Sequence, residues 1–327
     1  MTRTGHDVSV AFALNIAAGA ATILGGLVVF SKRLVYLANP ASLAVALSVS
    51  SGVMMFISFA EIFGESVRSF QSGIQSENMT KETAEGHSWL AAMGSFGAGI
   101  VLIYAVDVVV HKISPEHEMT EIERLDGVRD SLRDLISSKA LPKASPSGLE
   151  TGLSTSADPT SQFLKMDAAS QRSLQRMGVL SALAIGIHNL PEGIATYVGA
   201  MQKSSVGCSL AIGIGLHNIP EGIAVAAPIY FATRSRWRGL MWCAISAVAE
   251  PIGGVIAWLA IGDGMDAISE GILFGLVSGV MVCICVKELI PTAYKFAKGK
   301  TAIVALGMFA GMFVMMLSLT LFAYAGA

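Results

Sequence analysis

Apolar residues dominate eight long stretches of this chain, separated by polar segments of very unequal length. The stretches run at about 8–30, 41–63, 89–111, 174–201, 207–231, 238–261, 267–290 and 301–325. Each is long enough to supply the roughly 20 apolar residues a helix needs to cross a bilayer. The pattern predicts an all-α, polytopic membrane protein with eight transmembrane helices. Small residues recur in all of them, notably Gly94, Gly97 and Gly99 in the third and Gly271, Gly275 and Gly279, spaced four apart, in the seventh. Such residues let helix backbones approach closely, so the spans should pack as one bundle.

Two polar segments interrupt the pattern for longer than a turn. Glu65 to Ser88 joins the second and third spans. The segment 112–173 begins with a helical charge pattern from Pro115 to Ser138 and continues as LPKASPSGLETGLSTSADPTSQ. That composition cannot bury a core and predicts a flexible linker. The chain therefore divides into 1–111, with three spans, a cytosolic loop over 112–173, and 174–327, with five.

Composition agrees with this picture. Of 327 residues, 53% are hydrophobic and 14% charged, with a mean hydropathy of +0.61; soluble domains carry about 25% charged residues. Cys208, Cys243, Cys283 and Cys285 fall in or near apolar runs and read as small core residues, not as a disulfide framework. The basic residues are segregated. One set of connections carries Lys32 and Arg33, the 112–173 loop with Arg176 beyond it, Arg234, Arg236 and Arg238, and Lys295, Lys298 and Lys300. The other carries only Arg3, Arg68, Lys81 and Lys203. The basic set should be cytosolic, which places both termini outside the cytosol. The first apolar run has no obvious cleavage site and reads as a retained span.

The chemistry concentrates in the fourth and fifth spans. His188-Asn189-Leu190-Pro191-Glu192-Gly193 recurs as His217-Asn218-Ile219-Pro220-Glu221-Gly222. Positions i and i+4 share a helix face, so each histidine and its glutamate point together, with the asparagine one position round. Pro191 and Pro220 each remove a backbone donor and free a carbonyl in the preceding turn. A third glutamate, Glu250, precedes Pro251 in the middle of the sixth span. Each central charge costs roughly 3 kcal/mol to insert, on the order of 9 kcal/mol for the three glutamates. A lone histidine or asparagine in a span is commonly interhelical glue, but packing alone does not call for this repeated set. Imidazole, carboxylate and amide oxygen together suit zinc, and also iron, manganese or cobalt. Glu61, Asp107 and Glu288 sit near span ends, where solvation or helix-end roles compete with ligation. His111, Glu116, His117 and Glu118 read as solvated polar surface.

These residues resemble the ZIP (Zrt-, Irt-like protein) family of divalent-metal transporters, closest to its bacterial ZupT-like branch. The resemblance rests on HNLPEGIAT, LHNIPEGIAVAAPIY, AEPIGG and KELIP, and covers nearly the whole chain. It implies three helices, a central pair and three more in inverted relation, and a binuclear site between the fourth, fifth and sixth spans. One metal position would take His188, Glu192, His217 and Glu221; the other would take Asn189, Glu192, Asn218, Glu221 and Glu250. The long loop lacks the histidine-rich run common in the family.

The function expected is entry of divalent metal into the cytosol, with Zn2+ first and Fe2+, Mn2+, Co2+ and Cd2+ as further cargo, and no catalytic cofactor. The implied partners are the metal ions and the lipid bilayer of a plasma or inner membrane, with no nucleic acid; a homodimer is left open. Two alternatives stand against it. An intramembrane metalloenzyme would want an HExxH-type helix, and neither motif places glutamate directly after histidine. A metal sensor without flux would bind the same ions.

Overall fold

The computed structural model describes residues 5–31, 34, 40–74, 79–113, 168–261 and 265–324. The predicted linker, with Glu116, His117 and Glu118, and the basic pair Lys32 and Arg33 lie outside the described residues. So do the side chains of Asp107 and His111.

All the regular structure described is helical. The helices are α1 (Gly5–Gly26), α2 (Pro40–Ile57), α3 (Phe63–Ile74), α4 (Lys81–Ile113), α5 (Ala168–Gln202), α6 (Ser204–Thr233), α7 (Arg236–Ile261), α8 (Ala267–Ile284), α9 (Ile290–Phe296) and α10 (Thr301–Tyr324). A 3₁₀ turn, Leu27–Phe30, extends α1. One π-helical turn, Ser58–Ile62, fuses α2 to α3, and another, Cys285–Leu289, fuses α8 to α9. Eight long helical rods result, in the order the hydropathy pattern predicts. Among the described residues, seven are long and apolar enough to cross a membrane. The rod not counted among them is α5, the 35-residue helix carrying His188, Asn189 and Glu192.

The segment 65–88 is more helical than its polarity suggested. α3 continues to Ile74 and α4 starts at Lys81. The reason is packing: Ser66, Val67, Ser69 and Phe70 are buried, and the Ser66 hydroxyl donates to the Gly271 carbonyl at 2.6 Å. α6 ends at Arg234, which adopts the left-handed conformation (φ 59°), and α9 ends in a turn with Lys298 and Gly299 at φ 54° and 74°.

α1, α5, α6 and α7 pack against one another. Around them, α2 pairs with α10, and α8 with α4 and α3. α2 touches the inner group through α6, and α8 touches it through α5. This pattern is an inverted repeat, and glycine contacts give its residue equivalences. A Cβ at Gly222 would fall on the Thr22 carbonyl, and one at Gly25 on that of Ile219. Their counterparts are Gly193 on Glu250 and Gly253 on Leu190. Likewise Gly52 meets Met308 and Gly311 meets Val49, as Gly279 meets Phe96 and Gly99 meets Leu276. The exchange thus relates α1 to α7, α2 to α8, α4 to α10 and α5 to α6. The members of the first three pairs are five crossings apart, so they traverse the bundle in opposite directions.

The small-residue expectation divides accordingly. Gly271 lies against the Phe70 ring, Gly275 against Ser95 and Ser66, and Gly279 against Phe96. On α4 only Gly99 has such a contact; Gly94 and Gly97 face open space. Four-residue spacing holds one face, whereas 94, 97 and 99 spread around the helix.

Candidate metal centre

The two repeated motifs meet in the inner group. Asn189, Glu192, His217, Asn218 and Glu250 are 0% exposed, Glu221 is 1% and His188 is 6%. Their helices run through Pro191, Pro220 and Pro251 without a break. Close glycine contacts bring the backbones of α5 and α7, and of α1 and α6, together beside these side chains.

Each asparagine is held by its amide nitrogen. Asn189 Nδ2 donates to the Ser246 carbonyl at 3.3 Å, and Asn218 Nδ2 to the Ala18 carbonyl at 3.1 Å. A carbonyl only accepts, so this fixes which end of each amide is nitrogen. The oxygens are left pointing elsewhere, and neither has a partner. Glu192 Oε2, Glu221 Oε2 and Glu250 Oε1 are also buried without a partner. Five buried acceptors from five residues thus lack donors, where buried polar atoms are ordinarily satisfied.

Other atoms of the site have partners. Asn218 Nδ2 also donates to Glu250 Oε2 at 3.1 Å. His217 Nδ1 lies 3.0 Å from the Gly213 carbonyl, and its Nε2 3.1 Å from Glu192 Oε1. Since the carbonyl cannot donate, Nδ1 carries a hydrogen. The contact between Nε2 and Glu192 then needs one further proton, held by one of the two groups. His188 turns away from this cluster: its Nε2 is 3.2 Å from Glu288 Oε2. In this conformation no three His, Cys, Asp or Glu side chains among the described residues converge closely enough to hold one ion.

The sequence weighed Glu288 as a helix-end residue; its contact with His188 brings it to the centre. Two more residues escaped notice. Asn15, 0% exposed, donates from Nδ2 to the Gly193 carbonyl at 2.7 Å, tying α1 to the first motif. Thr22, 0% exposed, has an unpartnered hydroxyl on the same helix. The only sequence signal for either is a polar residue inside an apolar run. Asn15, Thr22 and the asparagine orientations all depend on which helix lies beside which, a relation no single span displays.

The family of ZIP zinc transporters matches residues 8–319. The chain belongs to that family. Its ZIP relatives include "Zinc transporter ZupT" of Nitratidesulfovibrio vulgaris, 35% identical over 97% of this chain and 98% of that protein. The protein of the same name from Streptococcus mutans is 35% identical over 95% and 97%. That from Corynebacterium glutamicum is 37% identical over 95% and 98%. ZIP membership accounts for a multi-pass membrane protein that transports rather than catalyses, and the metalloenzyme alternative is not favoured.

Proposed function

We propose that this ZIP protein carries divalent cations into the cytosol through two adjacent ion positions at mid-membrane, zinc first and with Fe2+, Mn2+, Co2+ and Cd2+ as further cargo. The observation that carries the reading is the set of five unpartnered, buried oxygens on Asn189, Glu192, Asn218, Glu221 and Glu250. Buried acceptor oxygens that lack donors in a membrane interior are stabilised by a cation. One ion position takes those five residues. The other takes His188 and His217 with the shared carboxylates Glu192 and Glu221. Filling it requires His217 to exchange its proton-mediated contact with Glu192 for the metal, and His188 to leave Glu288.

The segregation of basic residues supports the topology. On this reading Arg234 and Lys298 lie on the cytosolic side and both termini outside it, and the membrane is a plasma or inner membrane. Glu288 and His188 then lie on the cytosolic side of the site, and His217 on the outer side. Purified protein in liposomes, given external zinc and an internal zinc indicator, tests the reading. Saturable uptake supports transport; zinc binding without uptake would make the protein a sensor.

A further inference from the structure

The inverted repeat contains a contact on one side that it lacks on the other. Glu288 is the fourth residue of the π-helical turn Cys285–Leu289, and Glu61 is the fourth residue of the turn Ser58–Ile62. The glycine contacts of α2 and α8 make these turns equivalent, pairing Gly52 with Gly279. The asparagine bonds to Ala18 and Ser246 likewise pair the second motif with the first. Under this exchange the counterpart of Glu288 against His188 is Glu61 against His217. Only the first is formed. Glu288 Oε2 is 3.2 Å from His188 Nε2, while His217 Nε2 is engaged by Glu192 at 3.1 Å. Glu61 makes no hydrogen bond or ion pair among the described residues, and the neighbouring Arg68 is held by Glu65 at 2.7 Å. Glu61 is also half-buried, not enclosed like the seven residues of the central site.

Two inverted halves in unequal conformations can exchange those conformations, and the exchanged arrangement opens to the opposite side. π-helical turns re-aim side chains and recur at functional sites. We propose that Glu61 is the loading carboxylate of the outer side. In the exchanged conformation it reaches His217, Glu288 releases His188, and His188 turns to Glu221 as His217 now turns to Glu192. Glu61 would then take a divalent cation from outside and hand it to His217 and the shared glutamates.

The inference rests on the transport reading above, and the test separates the two. Initial zinc uptake is measured in proteoliposomes against external zinc for the wild type, Glu61→Gln, Glu61→Asp, Glu85→Gln and Glu192→Ala. Glu85 is an exposed carboxylate at the same end of the bundle and serves as the control for surface charge. Glu61→Gln should raise the half-saturating zinc concentration roughly five- to tenfold with the maximal rate nearly kept. Glu61→Asp should recover part of the loss, and Glu85→Gln should behave as the wild type. An unchanged half-saturation in Glu61→Gln would overturn the loading role. So would a fall in maximal rate alone, no recovery in Glu61→Asp, or an equal shift in Glu85→Gln. If Glu192→Ala is inactive while Glu61→Gln is normal, loading by Glu61 fails and the transport reading stands. Normal uptake by Glu192→Ala would instead remove the paired motifs from the transport path, and with them the site that Glu61 is proposed to load.

Discussion

Thr22 occupies on α1 the place that Glu250 occupies on α7. Gly222 of the second motif packs on the Thr22 backbone carbonyl as Gly193 of the first packs on that of Glu250. Both side chains are 0% exposed, and each has an unpartnered oxygen. The frame of the site is therefore two-fold while its charge is not: one wall supplies a third carboxylate and the other a hydroxyl.

This lopsidedness makes the first prediction. Glu250→Gln should lower zinc uptake at subsaturating zinc by about tenfold, equivalent to about 1.4 kcal/mol. Thr22→Val, which keeps shape and removes a neutral hydroxyl, should stay within about twofold of the wild type. Uptake rates normalised to reconstituted protein would show it; equal losses in the two variants would mean that the walls contribute alike.

Proton release gives a second. The hydrogen on His217 Nδ1 leaves its contact with Glu192 dependent on one further proton, which a metal ion must expel. Calorimetric titration of zinc in buffers of different ionisation enthalpy should report release of about one proton or more per protein. His217→Gln should release fewer. Identical release from the two proteins would place the displaced proton elsewhere.

Backbone contact gives a third. A Cβ at Gly193 falls on the Glu250 carbonyl, whereas one at Gly94 meets nothing within 4 Å. Gly193→Ala should destabilise the bundle by about 1–3 kcal/mol, as overpacking does. Gly94→Ala should be neutral or stabilising, within about 1 kcal/mol. Thermal unfolding in detergent distinguishes them, and a tolerated Gly193→Ala would contradict the close approach of α5 and α7.

The eight rods and both motifs are legible in the sequence, because a bilayer demands long apolar runs and makes every ionisable exception conspicuous. Glu61 and Glu288 are equally visible, but each looks like a span-end residue when only its own helix is considered. Their equivalence emerges from which carbonyl each glycine touches. It is hidden in the sequence because the two halves share geometry with little residue identity, as Thr22 and Glu250 illustrate. The π-helical turns leave no compositional mark either; SFAEI and CVKEL have only the glutamate in the fourth place in common.

A fourth prediction concerns the start of α8, outside the membrane span. Asp266 caps the helix, accepting from the Ser269 hydroxyl at 2.7 Å and from the Ser269 and Ile268 amides at 3.0 Å each. These bonds, the Ser269 hydroxyl first, hold its carboxyl below the usual carboxylate range. A depressed folded-state pKa stabilises the fold above the unfolded value of about 4, and that contribution is lost as pH falls through the folded value. Asp266→Asn should therefore lower the Tm slightly at pH 7 and flatten its decline between about pH 5 and 3. Parallel Tm curves for the two proteins would show that the cap does not titrate with folding.

The most direct test of the account removes Glu192, the carboxylate shared by both proposed ion positions and bonded to His217. Zinc uptake into proteoliposomes should be abolished in Glu192→Ala at equal reconstituted abundance and unchanged elution as a folded protein. Wild-type uptake by that folded variant would contradict a transport path through the paired motifs.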